Sequence, residues 1–372
     1  GYSIDNSLRL NDDDSAYLSR TPSSAGNRKT WTFSAWIKRN NLGVGGVIFG
    51  AVGDNSRMRF STDKIIQWEF NNTQNWRLVT TQKFRDPSAW FHLLINVDTT
   101  QGTAANRMSM YINGVKVTAF DNEDYPTLNG EGGTNNNSLQ SIGRDATNSD
   151  NYLDAYLAEV HFIDGQALDP TSFGETGTYG EWKPIEVTGM TYGTNGFYLD
   201  FSNSGSLGTD ASSNTNNWTV NNLAATDQML DSPTNNFCTW NSIDPTPEGI
   251  ANTITEGNLQ VRDSSGGYNW VIATQGMSSG KWYWEVYVDT VYNYQIIGVH
   301  AGGDTSRVHL HLGGESDGWG WQWHNGRAYN SDSYVSTGTA TTGDIVQVAV
   351  DIDAGKIWWG KNNTWENSGN PS

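Results

Sequence analysis

Short stretches in which apolar and polar residues alternate constrain the fold of this chain more than any other feature. The clearest is TWTFSAWIKR (Thr30–Arg39), whose apolar face consists of Trp31, Phe33, Ala35 and Ile37. A period of two is typical of a β-strand with one buried face. No stretch keeps the 3.6-residue period of a helix beyond about three turns. The sequence therefore predicts an all-β protein with almost no helix.

Three further stretches predict strands in the first half of the chain. They are WFHLLINVD, NRMSMYINGVKV and AYLAEVHFIDG. In the second stretch, Asn113-Gly114 is a dipeptide that favours a two-residue β-hairpin turn. In the third, strict alternation predicts one side made of Leu157, Glu159, His161 and Ile163.

The content of glycine and tryptophan fits a protein made of β-sandwiches. The 372 residues include 41 glycines, and asparagine, serine and threonine are also abundant. Glycine and asparagine supply the positive-φ positions of tight turns. The 17 tryptophans are explained by core packing or by exposed rings on which sugars stack, and core packing is the commoner role. A chain of this length has room for two domains.

The charge balance argues against several kinds of partner, and the single cysteine indicates where the chain folds. With 40 acidic and 22 basic residues the formal net charge is −18, which would repel phosphate backbones and anionic membranes. The longest apolar stretch, Gly43–Gly53, is too short and too rich in glycine to span a bilayer. We therefore expect no nucleic-acid partner and no membrane insertion. Cys238 alone cannot form an intrachain disulfide, which fits folding in a reducing bacterial cytoplasm.

A change in composition divides the chain. Residues 201–222 are polar and rich in turn formers, and DSPTNNF (231–237) is typical of a linker. A second β-rich region begins near Gly257. The sequence therefore predicts a first domain over 1–235, a linker over 236–256 and a second domain over 257–372.

The first half resembles the concanavalin A-like jelly-roll of the laminin-G type, in the version frequent in marine phage virion proteins. The matching stretches include SLRLNDDDSAYLSRTPSSAGNRKTWTFSAWIKR, FHLLINVDTT, MSMYINGVKV and YLAEVHFIDGQALDPTSFGE. The resemblance is nearly continuous from Ser7 to Phe237. It implies a fibre, appendage or decoration protein on the exposed surface of a virion, made in the cytoplasm of the bacterial host. Such appendages commonly consist of repeated copies, so a homo-oligomer is expected.

The second half resembles a SPRY domain. The matching stretches are GNLQVRDSS, SSGKWYWEVYVDT, IIGVHA, GWGWQWHNGRAYN and GDIVQVAVDIDAGKIWWGKNNTW. A SPRY sandwich normally continues with further strands, so we expect the second domain to be incomplete at residue 372. Together the two resemblances imply two tandem antiparallel β-sandwiches.

Candidate catalytic residues do not form a known constellation in the sequence. Laminarinase-type enzymes with a jelly-roll carry Glu-x-Asp-x-Glu along one strand, and this chain has no such triplet. Glu159 and Asp164 face opposite sides, whereas Glu285 and Asp289 share a face but lack the middle acid. Gly-x-Ser-x-Gly at 276–280 precedes a strand, where a nucleophile elbow requires a helix. We therefore expect a non-enzymatic protein, with a polysaccharide-degrading glycoside hydrolase as the alternative.

Acidic loops make Ca²⁺ the one cofactor to consider. A hard cation requires several oxygen ligands from flexible segments, although solvated acidic turns explain the same pattern because no loop has EF-hand spacing. The candidate calcium ligands are Asp12, Asp13, Asp14, Asp121, Asp124, Asp145 and Asp150.

Sugar recognition is the remaining functional hypothesis, because aromatic rings stack on the apolar faces of sugars. The candidate ligand-binding residues are Trp68, Trp76, Tyr125, Tyr152 and Trp321. The expected partners are a glycan or receptor on the host surface, or neighbouring virion proteins. A purely architectural role in the virion is the third alternative.

The stretch VHLHLGGESDGWGWQWHNGRAY (308–329) combines three histidines with three tryptophans. A predicted strand over 308–312 would place His309 and His311 on one face, but a third metal ligand is not evident. Trp319, Trp321 and Trp323 share a face of the next predicted strand, which ends at an Asn325-Gly326 turn. The sequence favours the inner packing face for this row over an exposed platform.

Overall fold

The computed structural model describes residues 1–43, 45–52, 56–71, 74–243, 252–263, 269–302 and 311–371, except for the side chains of 68–71, 74, 75, 252 and 263. These residues form two compact units. The first contains the described residues of 1–243, 254–261 and 272–274, and the second contains the others. The boundary predicted at residue 257 differs from this division, because 254–261 pack with the first unit.

The described residues confirm the all-β fold. The strands of the first unit are β1 (Ser7–Leu10), β2 (Tyr17–Arg20), β3 (Thr30–Arg39), β4 (Val47–Ala51), β5 (Ser56–Ser61), β6 (Lys64–Asn71), β7 (Gln74–Thr80), β8 (Phe91–Asp98), β9 (Met108–Ile112), β10 (Val115–Lys116), β11 (Phe120–Asp124), β12 (Gln140–Ile142), β13 (Ala155–Asp164), β14 (Gly174–Thr176), β15 (Trp182–Pro184), β16 (Phe197–Leu199), β17 (Thr219–Asn221) and β18 (Gln228–Met229).

The chain continues with a hairpin and the strands of the second unit. The hairpin consists of β19 (Asn252–Thr255) and β20 (Gln260–Asp263). The second unit has β21 (Lys281–Tyr287), β22 (Ile296–His300), β23 (Gly318–Gln322), β24 (Arg327–Asn330), β25 (Ser333–Ser336), β26 (Ile345–Asp351), β27 (Lys356–Lys361) and β28 (Thr364–Trp365). Helical structure in the described ranges is limited to the 3₁₀ turns Ala104–Asn106, Pro170–Ser172, Ala225–Asp227 and Glu366–Ser368. In the same ranges, no helix is long and apolar enough to cross a membrane.

The first unit is a sandwich of two eight-stranded antiparallel sheets. One has the order β10-β9-β8-β3-β13-β1-β18, with β16 also paired to β13, and the other has the order β11-β7-β6-β5-β4-β12-β2-β17. Aromatic rings of both sheets meet in the core, where Phe49 stacks on Phe162 with 5.7 Å between ring centroids. The predicted turn at Asn113-Gly114 joins β9 to β10, and both of its residues have positive φ.

The sheet that contains β3 and β13 is covered on both faces. Every residue of β13 is buried, and on β3 all but Thr30 are buried. On the outer face, Trp36 packs with Ile4, and Ile163 packs with Phe173 and Tyr192. The N-terminus and the segment that follows β13 therefore act as an outer layer on this sheet.

A β-bulge in β13 corrects the predicted face of that strand. The pairing with β3 shifts between Ala158 and His161, and Glu159 lies in the left-handed region with φ of 49°. An extra residue in one strand reverses the alternation beyond it. Leu157 therefore faces the core, whereas Ile163 packs on the outer layer.

The polar region after residue 200 belongs to the first sandwich. Leu207 and Trp218 are buried in its core, and β17 and β18 each join one of its sheets. The linker role predicted for DSPTNNF is wrong for its beginning, because Asp231 and Ser232 are buried.

The second unit is a smaller sandwich with two four-stranded sheets, β21-β26-β27-β28 and β22-β23-β24-β25. Its core joins Trp321 of one sheet to Val346, Val348 and Trp359 of the other. Trp321 is 0% and Trp323 6% exposed, so the tryptophan row faces inward as the sequence favoured, with Trp319 at the rim at 37%. A four-residue turn over 323–326, including the predicted Asn325-Gly326, joins β23 to β24. Of the strand predicted over 308–312, residues 308–310 lie outside the described residues. His311 and Leu312 are described and are not in a strand.

Candidate functional site

The candidate sugar-stacking residues occupy different environments. The rings of Trp76 and Trp321 are buried in the two cores, which corrects the prediction that they bind a ligand, because neither offers a face to solvent. Tyr125 packs against the first core and donates a hydrogen bond to Glu123. Tyr152 is half-buried, 6.2 Å from the ring of Tyr17. The side chain of Trp68 lies outside the described residues.

The candidate calcium ligands lie in three separate places. Asp12, Asp13 and Asp14 form a turn, where burial and then the charge of Asp13 raise the pKa of Asp12. Asp121 and Asp124 lie on β11, and Asp145 and Asp150 lie in the loop before β13.

Two of these aspartates are already paired with protein cations. Asp121 forms an ion pair with Lys64, and the buried Asp145 forms one with Arg57. Asp145 also caps its own loop by accepting a hydrogen bond from the backbone of Thr147. In the described part of the chain, no three His, Cys, Asp or Glu side chains are grouped closely enough to hold a metal ion.

A buried network surrounds Glu159 on the outer face of the first sheet. Tyr198 and Tyr2 donate hydrogen bonds to its two carboxylate oxygens at 2.7 and 3.2 Å. His161 stacks on Tyr198 with 4.2 Å between ring centroids, and its Nδ1 lies 2.9 Å from the hydroxyl of Tyr192. Burial, followed by the charge of Glu159, raises the pKa of Tyr2 to about 12. Tyr2 belongs to the N-terminus and Tyr192 to the segment that follows β13, whereas Tyr198 lies on β16 of the sheet itself, so the network holds the outer layer on the sheet.

A serine and a histidine next to this network lack the geometry of a nucleophile and its base. His92 Nδ1 accepts a hydrogen bond from Trp182 Nε1 at 3.2 Å, so Nε2 carries the proton and donates to Ser34 Oγ at 2.7 Å. Burial, followed by the charge of His161, lowers the pKa of His92 to about 3. An activating base must accept the hydroxyl proton instead. The gap lined by Ser34, Glu159 and His161 is too narrow to admit water.

Asp164, a candidate catalytic acid together with Glu159, also accepts several hydrogen bonds from the protein. It accepts hydrogen bonds from the backbone of Asn27 and Asn195 at 2.7 and 3.0 Å and from Asn135 Nδ2 at 2.7 Å. These contacts join three loops. Asp164 therefore has a structural role at the end of β13.

An exposed polar and aromatic surface lies on the outer face of the sheet β21-β26-β27-β28. A row of directly opposed residues crosses all four strands, namely Glu285, Gln347, Gly360 and Trp365. Opposed residues of antiparallel strands share a face, and their neighbours Val346, Val348 and Trp359 face the core. Tyr283, which is 52% exposed, flanks the row. We call Tyr283, Glu285, Gln347, Asn363 and Trp365 the aromatic face.

Hydrogen bonds fix the polar groups of the aromatic face. Gln347 Nε2 lies 2.5 Å from the hydroxyl of Tyr283, 3.3 Å from Glu285 Oε1 and 3.2 Å from Asn363 Oδ1. Gln347 Oε1 accepts the backbone N–H of Asn363 at 2.6 Å, and Tyr283 donates to Glu285. Burial, followed by the bond to Glu285, raises the pKa of Tyr283. The carboxylate and the amides therefore keep fixed positions beside the rings.

The two rings of the aromatic face lie at an angle to each other. The centroids of Tyr283 and Trp365 are 6.2 Å apart with an interplanar angle of 71°. Glycine at position 360 lets the indole lie on the sheet, because a Cβ there would meet Trp365 Cε3 at 2.9 Å. The arrangement offers ring faces next to hydrogen-bonding groups.

The sequence contains one signal for this face that the candidate list missed. In KWYWEVY (281–287), aromatic residues occur at both odd and even positions, so a strand there presents rings on both sides of its sheet. Trp284 packs against the core, whereas Tyr283 and Tyr287 are exposed.

Family models match two parts of the chain. The model of the concanavalin A-like lectin/glucanases superfamily, laminin-G type, matches residues 11–172. The SPRY domain model matches residues 281–368. This is therefore a tandem β-sandwich protein. Specifically, it carries a concanavalin A-like domain of the laminin-G type followed by a SPRY domain. No curated protein matches the chain.

Solved structures show distant similarity. A putative carbohydrate-binding protein from Bacteroides ovatus is 15% identical with a TM-score of 0.36, over 60% of this chain and 61% of its own. Two LG domains of the mouse laminin alpha1 chain are 9% identical with a TM-score of 0.34, over 100% of this chain and 80% of theirs. A tailspike from an Escherichia coli bacteriophage is 12% identical with a TM-score of 0.32, over 45% of this chain and 23% of its own.

Proposed function

We propose that the chain is a non-enzymatic bacteriophage virion protein that recognises glycans on the host surface through the aromatic face of its SPRY domain. The phage context rests on the sequence resemblance of the first domain. The aromatic face is the observation that carries the binding function. The protein would be displayed on the virion surface in several copies, with neighbouring virion proteins as further partners.

The chemistry of the aromatic face suits a saccharide. The C–H groups of a pyranose ring stack on an aromatic face, and Tyr283 and Trp365 provide two such faces at an angle. Sugar hydroxyls donate to carboxylates and exchange hydrogen bonds with amides. Glu285 and Asn363 are exposed and offer both kinds of group, and the buried Gln347 between them holds both in place.

Charge narrows the class of glycan for this face. In the described residues, the contacts of Glu285 within the cluster are with the neutral groups of Tyr283 and Gln347. A carboxylate without a cation repels an acidic sugar and favours a neutral or amino sugar. We therefore expect neutral hexoses or N-acetylated hexosamines.

A glycan array of bacterial surface polysaccharides tests this proposal. We expect the full chain to bind neutral or N-acetylated glycans, and Trp365→Ala to weaken binding at least ~tenfold, as loss of about 1.4 kcal/mol requires. Tyr292→Ala is the matched control, because Tyr292 is an exposed ring outside the face. Absence of binding to any glycan or cell, or equal binding by Trp365→Ala, would overturn the proposal. Release of reducing ends from a bound polysaccharide would support the glycosidase alternative instead.

A further inference from the structure

The second sheet of the SPRY domain carries an arginine, Arg327, that has no acidic partner among the residues that the structure describes. Arg327 lies on β24, and its guanidinium stacks on the ring of Tyr334 with Cζ 4.4 Å from the centroid. One of its N–H groups donates to the hydroxyl of Tyr329 at 3.3 Å. Within the described residues, no carboxylate lies within ion-pair distance of it. An arginine has five N–H donors, so most of its donors have no protein acceptor there.

Strand pairing places the surroundings of Arg327 on one outer face. Arg327 opposes Gln322 on β23 and Ser336 on β25, and in the next row Tyr329 opposes Tyr334. The core-facing residue of β24 is Ala328 instead. His311 lies edge-on against Tyr329, 4.7 Å between centroids, and its Nε2 lies 3.9 Å from Asp332 Oδ1. The unused N–H donors of Arg327 therefore lie on this outer face beside the rings of Tyr329 and Tyr334.

The positive charge of Arg327 is felt by its neighbours even though the chain is strongly acidic. The pKa of His324 is lowered, first by burial and then by the charge of Arg327. The chain as a whole has a formal net charge of −18. A site of positive potential on such a protein selects anions locally.

We propose that Arg327, Tyr329 and Tyr334 form a second binding site, specific for the carboxylate of an acidic saccharide such as a uronic acid. A planar guanidinium binds a carboxylate through two parallel hydrogen bonds. Tyr334 is 50% exposed, so the uncovered part of its ring is available to the C–H groups of the sugar. The saccharide nature of the ligand rests on the proposed glycan recognition, whereas the carboxylate specificity rests on Arg327 alone.

Titration calorimetry with tetragalacturonate and its fully methyl-esterified form tests the site. The ester removes the charge and keeps the sugar. We expect the full chain to bind the acid at least ~tenfold more tightly than the ester. Equal binding of both, or no binding of the acid, would overturn the proposal. Polyglutamate of similar charge must bind at least ~tenfold more weakly, and equal affinity would contradict a saccharide site.

Variants separate this site from the aromatic face. Arg327→Gln should abolish tetragalacturonate binding, and Arg327→Lys, which keeps the charge but loses the paired geometry, should weaken it. Lys356→Gln is the matched control, since Lys356 is an exposed cation on β27 of the same domain, and it should change nothing. Trp365→Ala should leave acid binding intact, so failure of one site leaves the other testable. Unchanged binding by a folded Arg327→Gln protein contradicts the proposal, and Arg327→Lys provides the same test if the first variant does not fold.

Discussion

Lys38 Nζ lies 2.8 Å from Asp231 Oδ2, and both side chains are almost completely buried. Lys38 also donates to Asn236 Oδ1 and to the carbonyl of Phe237, while Asp231 Oδ1 accepts the indole N–H of Trp90 at 2.8 Å. This pair therefore ties the segment after β18 to the middle of the first sheet. The segment closes the first domain as a strap.

Replacement of Lys38 by methionine should destabilise the first domain strongly. Removal of one partner leaves the charge of Asp231 buried without compensation, which costs about 3–5 kcal/mol. Urea unfolding of the full chain measures the effect as a shift of the first-domain transition. Lys183→Met is the control, because Lys183 pairs with Glu175 at an exposed site where such pairs contribute about 1 kcal/mol or less. Equal shifts for the two variants would show that the strap contributes little.

Truncation of Trp321 should destabilise the SPRY domain alone. Its ring is fully buried and its Nε1 donates to Thr337 Oγ1 at 2.8 Å, so Trp321→Ala should cost about 3–5 kcal/mol. Trp319→Ala, at the rim of the same strand, should cost clearly less. The unfolding transition that Trp321→Ala shifts identifies the SPRY domain. A folded, equally stable Trp321→Ala protein would contradict the core assignment.

His92 should stay neutral well below the usual range of histidine. Burial, followed by the charge of His161, lowers its folded pKa from the usual 6.5 to about 3, so its contribution to stability is present above pH 6.5 and is lost as the pH falls from 6.5 towards 3. The slope is at most about 1.4 kcal/mol per pH unit. Imidazole ¹⁵N spectra should show the Nε2–H tautomer down to pH 4. Protonation of His92 near pH 6.5 would contradict the buried hydrogen-bonded ring.

Asp154 should have the opposite pH dependence. Burial, opposed by a hydrogen bond from Asn40 and reinforced by Asp12 and Asp13, raises its pKa from 3.8 to about 7. Its contribution to stability is therefore full below pH 3.8 and is lost as the pH rises through 7. Asp154→Asn should be more stable than the parent at pH 8, by at least about 1 kcal/mol, and equally stable near pH 4. A stability difference that does not change between pH 4 and pH 8 would contradict this assignment.

Strands and turns of this protein could be predicted because their signals are local. The alternation in β3 and the hairpin at Asn113-Gly114 depend on neighbouring residues only. Alternation predicts two faces but not which of them is covered, and β3 is covered on both. One inserted residue at Glu159 was enough to reverse the predicted face of Ile163.

Candidate site residues were harder to predict because their partners are distant in the chain. Glu159 accepts its hydrogen bonds from Tyr2 and Tyr198. Asp145 forms an ion pair with Arg57, which competes with binding of a metal ion. A single tryptophan carries no mark of exposure in the sequence, so Trp76 and Trp365 could not be separated. The registers of β26, β27 and β28 separate them by placing Trp365 outside the second core.

The indole N–H resonance of Trp365 offers the most direct test of glycan recognition by the aromatic face. The full chain, labelled with ¹⁵N, is titrated with the neutral glycan that binds most strongly on the array. We predict that the chemical shift of the Trp365 indole N–H changes with glycan concentration and saturates with the dissociation constant measured for binding. The resonance of Trp282, whose indole donates to the carbonyl of Ser279 at 2.8 Å, should stay unchanged. Saturable binding that leaves the Trp365 resonance unmoved would contradict the account.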